Sequence, residues 1–312
     1  MSDPRPIGVF DSGVGGLTVL REILRRCPSE STVYLGDNAR APYGTRSDDE
    51  VRRFSTEALD ELAARDVKTI VVACNTSTAV ALGDLRRRYA LPILGVIRPG
   101  AVTAALATRE RRVGVIATPA TIRSHAYFSA IKDENPAVEV YEHATPALVP
   151  MVEAGRLSGP DVEAVVRDAL APLLGERDPE GEFIFPLPPS ARIDTLLLGC
   201  THYPLLRPVI AEVVGTRIAI VDSATATASA LAELLGINGL EAPGTTRGTA
   251  ADAGSAGHDR PTEQPSAPTH VQLTTGDVAA FRAIARRLFG DAFPDIQGVE
   301  LGRKPTVKGA GR

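Results

Sequence analysis

Residues 69–76 read TIVVACNT, and this stretch decides the predicted fold class. Its first five residues form a near-continuous apolar run, which is typical of a strand buried on both faces of a parallel sheet. Similar short runs alternate with helical patterns through most of the 312-residue chain. The sequence therefore predicts an open, mostly parallel α/β fold.

The predicted elements follow a regular strand–helix rhythm. The first helix carries an apolar stripe from Leu17 to Cys27 and ends at Pro28. The next helix begins at Ser47, and Glu50 completes a capping box with it. Strands are predicted at 7–10, 32–35, 69–73, 92–96, 113–117, 138–141, 195–198, 218–221 and 271–275.

The chain also contains an internal repeat. Residues 195–202 read TLLLGCTH and follow the plan of residues 69–76, an apolar strand and then a cysteine followed closely by threonine. Residues 8–12, GVFDS, resemble residues 114–118, GVIAT, in the same way. We therefore predict two pseudo-symmetric lobes, each built on an open parallel sheet, with a cleft between them.

The two halves differ in length. From Ile7 to Cys74 there are 67 positions, and from Val113 to Cys200 there are 87. The excess of 20 is close to the length of the Pro-, Gly- and Glu-rich stretch 175–192, which we interpret as a loop insertion.

Two further segments lack apolar periodicity. Residues 241–268 are rich in Gly, Ala, Thr, Pro and Ser, which predicts a flexible loop. Residues 302–312 are interpreted as a frayed, disordered tail.

Composition argues against several classes of function. The net charge is −4, so no general attraction to nucleic acid or anionic lipid is expected. The first residues lack the pattern of a signal peptide, and no apolar run approaches the ~18–20 residues that span a bilayer. We expect a cytoplasmic protein with no direct nucleic-acid or membrane partner.

The chain has three cysteines, Cys27, Cys74 and Cys200. This number is small and odd, which argues against a disulfide framework. Cys27 lies on the apolar helix stripe and is interpreted as core. Cys74 and Cys200 each follow a predicted strand, at the edge of the sheet where α/β proteins bind ligands. We expect each near the start of a helix, where the positive potential lowers the pKa of a thiol.

Other roles for these residues remain open at this point. Both cysteines fit ordinary buried cysteines, a common fate of this residue. Cys200 and His202 form the one close pair that suits zinc, but a zinc site needs more ligands. A pyridoxal-phosphate enzyme needs a lysine at the expected edge, and none of the four lysines fits: Lys68, Lys132, Lys304 and Lys308.

Two thiols that face each other across a cleft suit racemisation. One thiolate removes a proton from one face of a carbon atom, and the other thiol returns a proton to the opposite face. The Gly-rich turn 11–16, DSGVGG, lacks the lysine of a phosphate loop, and we interpret its N–H groups as donors to a substrate carboxylate. We predict an amino-acid racemase that needs no cofactor and no metal.

The chain resembles the bacterial glutamate racemases of the aspartate/glutamate racemase superfamily. The matching stretches cover nearly the whole chain in the right order. They are 8–17 (GVFDSGVGGL), 36–44 (GDNARAPYG), 73–76 (ACNT), 198–206 (LGCTHYPLL), 221–224 (VDSA) and 274–277 (TTGD). The Cys-Thr-His-Tyr-Pro and Pro-Tyr-Gly stretches separate glutamate racemases from aspartate and hydantoin relatives.

This resemblance implies a role for each matching residue. Cys74 and Cys200 would be the catalytic thiols, with Asp11 assisting the first, and His202 and Glu153 assisting the second. Glu153 also fits a helix-surface carboxylate, and Tyr43 also fits loop packing. The residues that would hold the substrate are Asp11, Ser12, Tyr43, Gly44, Asn75, Thr76, Thr201 and His202, with Thr121 as a further candidate.

The resemblance also implies a domain plan. Residues 1–97 and 211–301 would form the first lobe, with the flexible loop inside it. Residues 98–210 would form the second lobe, with the insertion 175–192, and the active site would lie in the cleft. The crossings would fall near Arg98 and Ala211.

The family's usual role is to supply D-glutamate for peptidoglycan, and a homodimer is expected. DNA gyrase is a conceivable partner by resemblance, although nothing in this sequence supports it. Two alternatives stay open: racemisation of another amino acid such as aspartate, and a non-catalytic binding protein on the same fold.

Overall fold

The computed structural model describes residues 2–174, 193–243 and 267–302, together with the backbone of two short strands at 176–177 and 183–184. Within these residues the chain forms two α/β lobes, each built on a parallel sheet. This confirms the predicted fold class. The expected loop 241–268 and the tail 302–312 lie largely outside the described residues.

The first lobe is built on a six-stranded sheet, in which all strands run parallel in the order β12-β11-β2-β1-β3-β4. Its strands are β1 (Ile7–Asp11), β2 (Thr32–Gly36), β3 (Thr69–Val72), β4 (Ile93–Gly95), β11 (His270–Thr274) and β12 (Ile296–Gly298). Its helices are α1 (Leu17–Arg26), α2 (Asp48–Ala63), α3 (Asn75–Arg88), α10 (Ser223–Asn238) and α11 (Val278–Phe289). The capping box of Ser47 and Glu50 at the start of α2 is present as predicted.

The second lobe is built on a four-stranded parallel sheet in the order β10-β9-β5-β6. Its strands are β5 (Arg112–Ala117), β6 (Glu139–Ala144), β9 (Thr195–Gly199) and β10 (Ala219–Asp222). Helix α4 (Ile97–Ala107) crosses into this lobe, which also holds α5 (Pro119–Arg123), α6 (Ala126–Glu134), α7 (Leu148–Glu153), α8 (Pro160–Leu174) and α9 (Arg207–Val214).

Three features of this topology differ from expectation. Strand β10 pairs with β9, so the second sheet ends at Asp222 and the first lobe resumes with α10, later than the predicted return near Ala211. Strand β12, with three residues, carries too short a pattern to be predicted. The stretch 175–192 is more than a plain loop, because β7 (Glu176–Arg177) pairs antiparallel with β8 (Phe183–Ile184), while its other residues lie outside the described part.

Burial of both sheet faces explains the apolar strands. Along β3, Ile70 and Val72 point into one core cluster, whereas Val71 points into another on the opposite face. Successive side chains of a strand alternate between faces, so a sheet covered by helices on both sides needs apolar residues at every position. The pattern TIVV therefore suits the interior position of β3, between β1 and β4.

A buried ion pair fastens the amino-terminal edge of the first lobe. Lys68 Nζ binds the Glu30 carboxylate, and both side chains are almost fully buried. Lys68 Nζ also donates to the carbonyl of Asp3 at 2.9 Å, and Glu30 Oε1 accepts the N–H of Ala242 at 2.8 Å. Four chain segments are thus joined at one buried pair.

We expect Lys68→Met to lower the free energy of unfolding by about 3–5 kcal/mol, because it leaves the Glu30 carboxylate buried without its cation. Adding Glu30→Leu removes that carboxylate and should recover most of the loss. The measurement is urea unfolding followed by circular dichroism. Arg167→Met, which breaks an exposed pair with Glu163 on α8, is the control and should cost less than about 1 kcal/mol. If Lys68→Met is as stable as Arg167→Met, the prediction is wrong.

Candidate active site

Cys74 and Cys200 lie at the carboxyl edges of the two sheets and line one cavity of about 20 Å³ between the lobes. The first lobe supplies Cys74 and the second supplies Cys200, as the repeat predicts. The cavity is lined by Ser12, Ala41, Pro42, Tyr43, Gly44, Cys74, Asn75, Thr76, Thr118, Val149, Glu153, Cys200, Thr201 and His202. Most of the residues named from sequence therefore meet here.

The two cysteines have different backbone settings. Cys74 caps the amino terminus of α3, and its Sγ accepts the N–H of Ser77 at 3.4 Å. Cys200 is followed by a 3-10 turn at Tyr203–Leu206, and α9 begins only at Arg207. The expected helix start is confirmed for Cys74 and wrong for Cys200.

The Cys74 thiol is neutral in this setting. Burial, together with the charge of Asp11, raises the pKa of Cys74 to about 11, although hydrogen bonds with Ser77 and Ser12 oppose the shift. The Sγ atom donates to Ser12 Oγ at 3.6 Å. The expected lowering of this pKa by the helix terminus is therefore wrong, because desolvation outweighs the hydrogen bonds.

Cys200 belongs to a three-residue relay. Its Sγ lies 3.8 Å from His202 Nδ1, and His202 Nε2 lies 3.1 Å from Glu153 Oε1. Burial lowers the pKa of His202, but the hydrogen bonds and charges of Cys200 and Glu153 outweigh it and raise that pKa to about 10. The imidazolium places a positive charge next to the Cys200 sulfur, and Glu153 faces the site from α7 instead of lying on an open helix surface.

Asp11 organises the turn after β1. Its buried Oδ2 accepts the N–H groups of Gly13 and Gly16, both at 3.0 Å, and Thr201 Oγ1 of the other lobe lies 3.5 Å from Oδ1. Burial raises the pKa of Asp11, and His202 opposes that rise. Our interpretation that the turn's N–H groups bind a substrate carboxylate is therefore wrong for Gly13 and Gly16, which are occupied by Asp11.

The loop that carries Tyr43 and Gly44 meets the second lobe through its glycine. The Tyr43 hydroxyl donates to Asp37, and its ring packs against Phe10 and Phe54, so the ring serves loop packing. A Cβ at Gly44 would lie 2.5 Å from Thr118 Cβ. Only glycine allows this close approach of the lobes.

Three threonine hydroxyls join the lobes at the same end of the cavity. Thr76 Oγ1 lies 2.9 Å from Thr118 Oγ1 and 3.4 Å from Thr121 Oγ1, and the last two are 3.1 Å apart. Sequence reasoning named Thr76 and Thr121 but missed Thr118. The signal was present, since the repeat aligns Thr118 with Ser12.

The remaining candidates lie away from the cavity. Cys27 is half-buried against the first-lobe core, Lys68 belongs to its ion pair, and Lys132 Nζ binds the carbonyl of Pro136. Within the described residues there is no group of three or more His, Cys, Asp or Glu placed to hold a metal ion. The same residues include no helix with the length and hydropathy needed to cross a membrane.

Comparisons with known proteins identify the family of this chain. The family model for Asp/Glu/hydantoin racemases matches residues 7–181. A curated glutamate racemase from Geobacter metallireducens is 48% identical over 297 residues, which cover 95% of this chain and 97% of that protein.

Solved structures show the same fold. A glutamate racemase from Bacillus anthracis superposes with a TM-score of 0.80 at 38% identity, covering 95% of this chain and 97% of that one. A glutamate racemase from Francisella tularensis, solved in complex with D-glutamate, gives a TM-score of 0.78 at 32% identity and covers 96% and 98%. The chain belongs to the Asp/Glu/hydantoin racemase family and, within it, to the glutamate racemases.

Proposed function

We propose that this enzyme interconverts L- and D-glutamate by moving protons between Cys74, Cys200 and the substrate Cα, without a cofactor. The observation that carries the proposal is that the two thiols, one from each lobe, line the same cavity. Glutamate is favoured over aspartate because the relatives that align over most of the chain are named glutamate racemases. The product D-glutamate would serve peptidoglycan synthesis.

The two thiols have different surroundings. Cys200 lies next to the His202 imidazolium and acts as the base, while the neutral Cys74 thiol acts as the acid. The base takes the Cα proton from one face, and the acid protonates the opposite face of the flat intermediate. After one turnover the protons have changed places, which prepares the site for the reverse direction.

The polar lining would hold the rest of the substrate. Thr76 and Thr118, supported by Thr121, offer hydroxyls to one carboxylate, and Ser12, Asn75 and Thr201 offer further polar groups from the same lining. A cavity of about 20 Å³ is smaller than glutamate, so substrate entry requires the lobes to separate. Closure over the substrate then excludes water from the intermediate.

The reaction suits a reducing compartment, because both thiols must stay free to exchange protons. All three cysteines are free in the structure. We therefore propose that the enzyme works in the cytoplasm.

We also propose a division of the chain into two lobes around the substrate. Residues up to 97 and from 223 form one lobe, and residues 98–222 form the other.

Cys74→Ala and Cys200→Ala should each abolish racemisation, since either change removes one of the two proton carriers. Loss of circular dichroism from D-glutamate, without added pyridoxal phosphate and with EDTA present, measures the reaction. Cys27→Ala is the matched control and should keep wild-type activity, because Cys27 lies outside the cavity. Wild-type turnover of aspartate but not glutamate would overturn the substrate assignment, and no turnover of any amino acid would favour the binding protein.

Activity should fall as pH rises through about 10, because His202 then loses the proton that hydrogen-bonds Cys200 and Glu153. Because the pKa of His202 is raised, its protonated form and the hydrogen bonds that depend on it are fully present below the ordinary histidine pKa of ~6.5 and are lost above the raised value. Glu153→Gln removes one cause of the rise, so the alkaline limb of kcat/KM should move to lower pH. Glu142→Gln, which alters a carboxylate–histidine pair with His125 outside the cavity lining, is the control. Identical alkaline limbs in all three proteins would exclude this role for Glu153.

Thr118→Val keeps the side-chain shape and removes a hydroxyl from the proposed carboxylate cluster. We expect KM for glutamate to rise by about 10-fold or more, as for the loss of a hydrogen bond to a charged group. Thr56→Val is the control, because the Thr56 hydroxyl bonds the carbonyl of Arg52 within α2. A KM equal to that of the control would remove Thr118 from the binding site.

A further inference from the structure

Tyr127 contacts the immediate neighbours of both thiols. It is fully buried on α6 in the second lobe. Its ring lies against Gly199, the residue before Cys200, where an added Cβ would come within 2.9 Å of Tyr127 Cε2. Its hydroxyl accepts a hydrogen bond from Asn75 Nδ2, next to Cys74, at 2.7 Å. One rigid side chain thus spans the two backbone segments that carry the thiols.

The same hydroxyl is tied to the region where the chain passes between the lobes. It lies 2.8 Å from Ser223 Oγ, at the first residue of α10, where the chain returns to the first lobe. Gly100 on α4, the other crossing helix, packs here too, because an added Cβ would lie 2.4 Å from Ser223 Oγ. Both crossing helices and both thiol-bearing segments therefore meet at Tyr127.

Tyr127 acts through these neighbours and not on the substrate. It does not line the cavity between the thiols. Burial raises its pKa, so the phenol stays neutral and takes no part in proton transfer. The side chain is held at both ends, which makes it a spacer of fixed length between the lobes.

We propose that Tyr127 is a positioning residue that sets the separation and orientation of Cys74 and Cys200 when the lobes are closed. This inference rests on the two-thiol racemisation proposed above. The reaction needs both sulfurs in line with Cα at the same moment, and a displacement of about 1 Å in such a geometry costs on the order of 100-fold in rate.

Tyr127→Phe tests this role, because it keeps the ring against Gly199 and removes the hydroxyl that holds Asn75. We expect kcat to fall by about 10- to 100-fold while KM for glutamate stays within about 3-fold, since the variant removes no side chain that lines the cavity. Tyr89→Phe is the matched control. Tyr89 lies at the other end of α3, and its hydroxyl bonds Asp60 and the carbonyl of Thr56.

A second readout follows the fate of the Cα proton in D₂O, starting from pure D-glutamate. When both thiols are in place, the intermediate is captured on the opposite face, and deuterium enters mainly the L-glutamate product. When the second thiol is displaced, the first thiol exchanges its proton with solvent and returns deuterium to the original face. We expect the ratio of deuterium in recovered substrate to that in product to rise in Tyr127→Phe and not in Tyr89→Phe.

The outcomes separate the two proposals. If wild type racemises glutamate but Tyr127→Phe matches the control in kcat and in the deuterium ratio, the positioning role is wrong. A fall in kcat with a parallel rise in KM and an unchanged ratio also overturns it, because that pattern belongs to substrate binding. An inert wild type would overturn the two-thiol proposal itself. If Tyr127→Phe fails to fold, the combination with Ser223→Ala removes a hydroxyl left unpaired, and the same expectations apply to it.

Discussion

The buried carboxylate of Asp11 is the interaction on which the rest of the site depends. A carboxylate taken out of water needs hydrogen-bond partners, and Asp11 finds two in the N–H groups of Gly13 and Gly16. These two hydrogen bonds fold the chain after β1 into a tight turn. The turn requires glycine at position 16, since a Cβ there would lie 2.4 Å from Asp11 Cβ. The compact turn lets the second lobe approach, and Thr18 Oγ1 then donates to the carbonyl of Thr201 at 3.0 Å.

Pseudo-symmetry gives the two lobes equivalent strands but gives their thiols different environments. Cys74 lies at a helix start and is neutral because burial outweighs its hydrogen bonds. Cys200 lies beside a histidine whose pKa is raised by the hydrogen bonds of Cys200 and Glu153. A racemase needs one acid and one base at any moment, and the unequal surroundings distinguish the two thiols.

Much of the fold and of the site follows from local patterns in the sequence. Apolar strands such as β3 predict parallel sheets, and strand–cysteine–threonine repeats predict which residues share an edge. The errors arise where a pattern is short or a partner is distant. Strand β12 has three residues, the assignment of β10 depends on its pairing with β9, and Thr118 enters the site only because the lobes close.

By itself, the sequence determined the α/β class, the two lobes and the two thiols, because strand periodicity and the residues that follow each strand are local properties. Only the tertiary structure decided how the thiols are surrounded and held. The hydrogen bond of Cys200 raises the pKa of His202, and so does Glu153, which is 49 positions away and reaches the histidine across the second lobe. Tyr127 lies between the two thiol-bearing segments because α6 packs where the lobes meet. Burial and hydrogen bonding depend on which distant segments come together, and no local pattern encodes that.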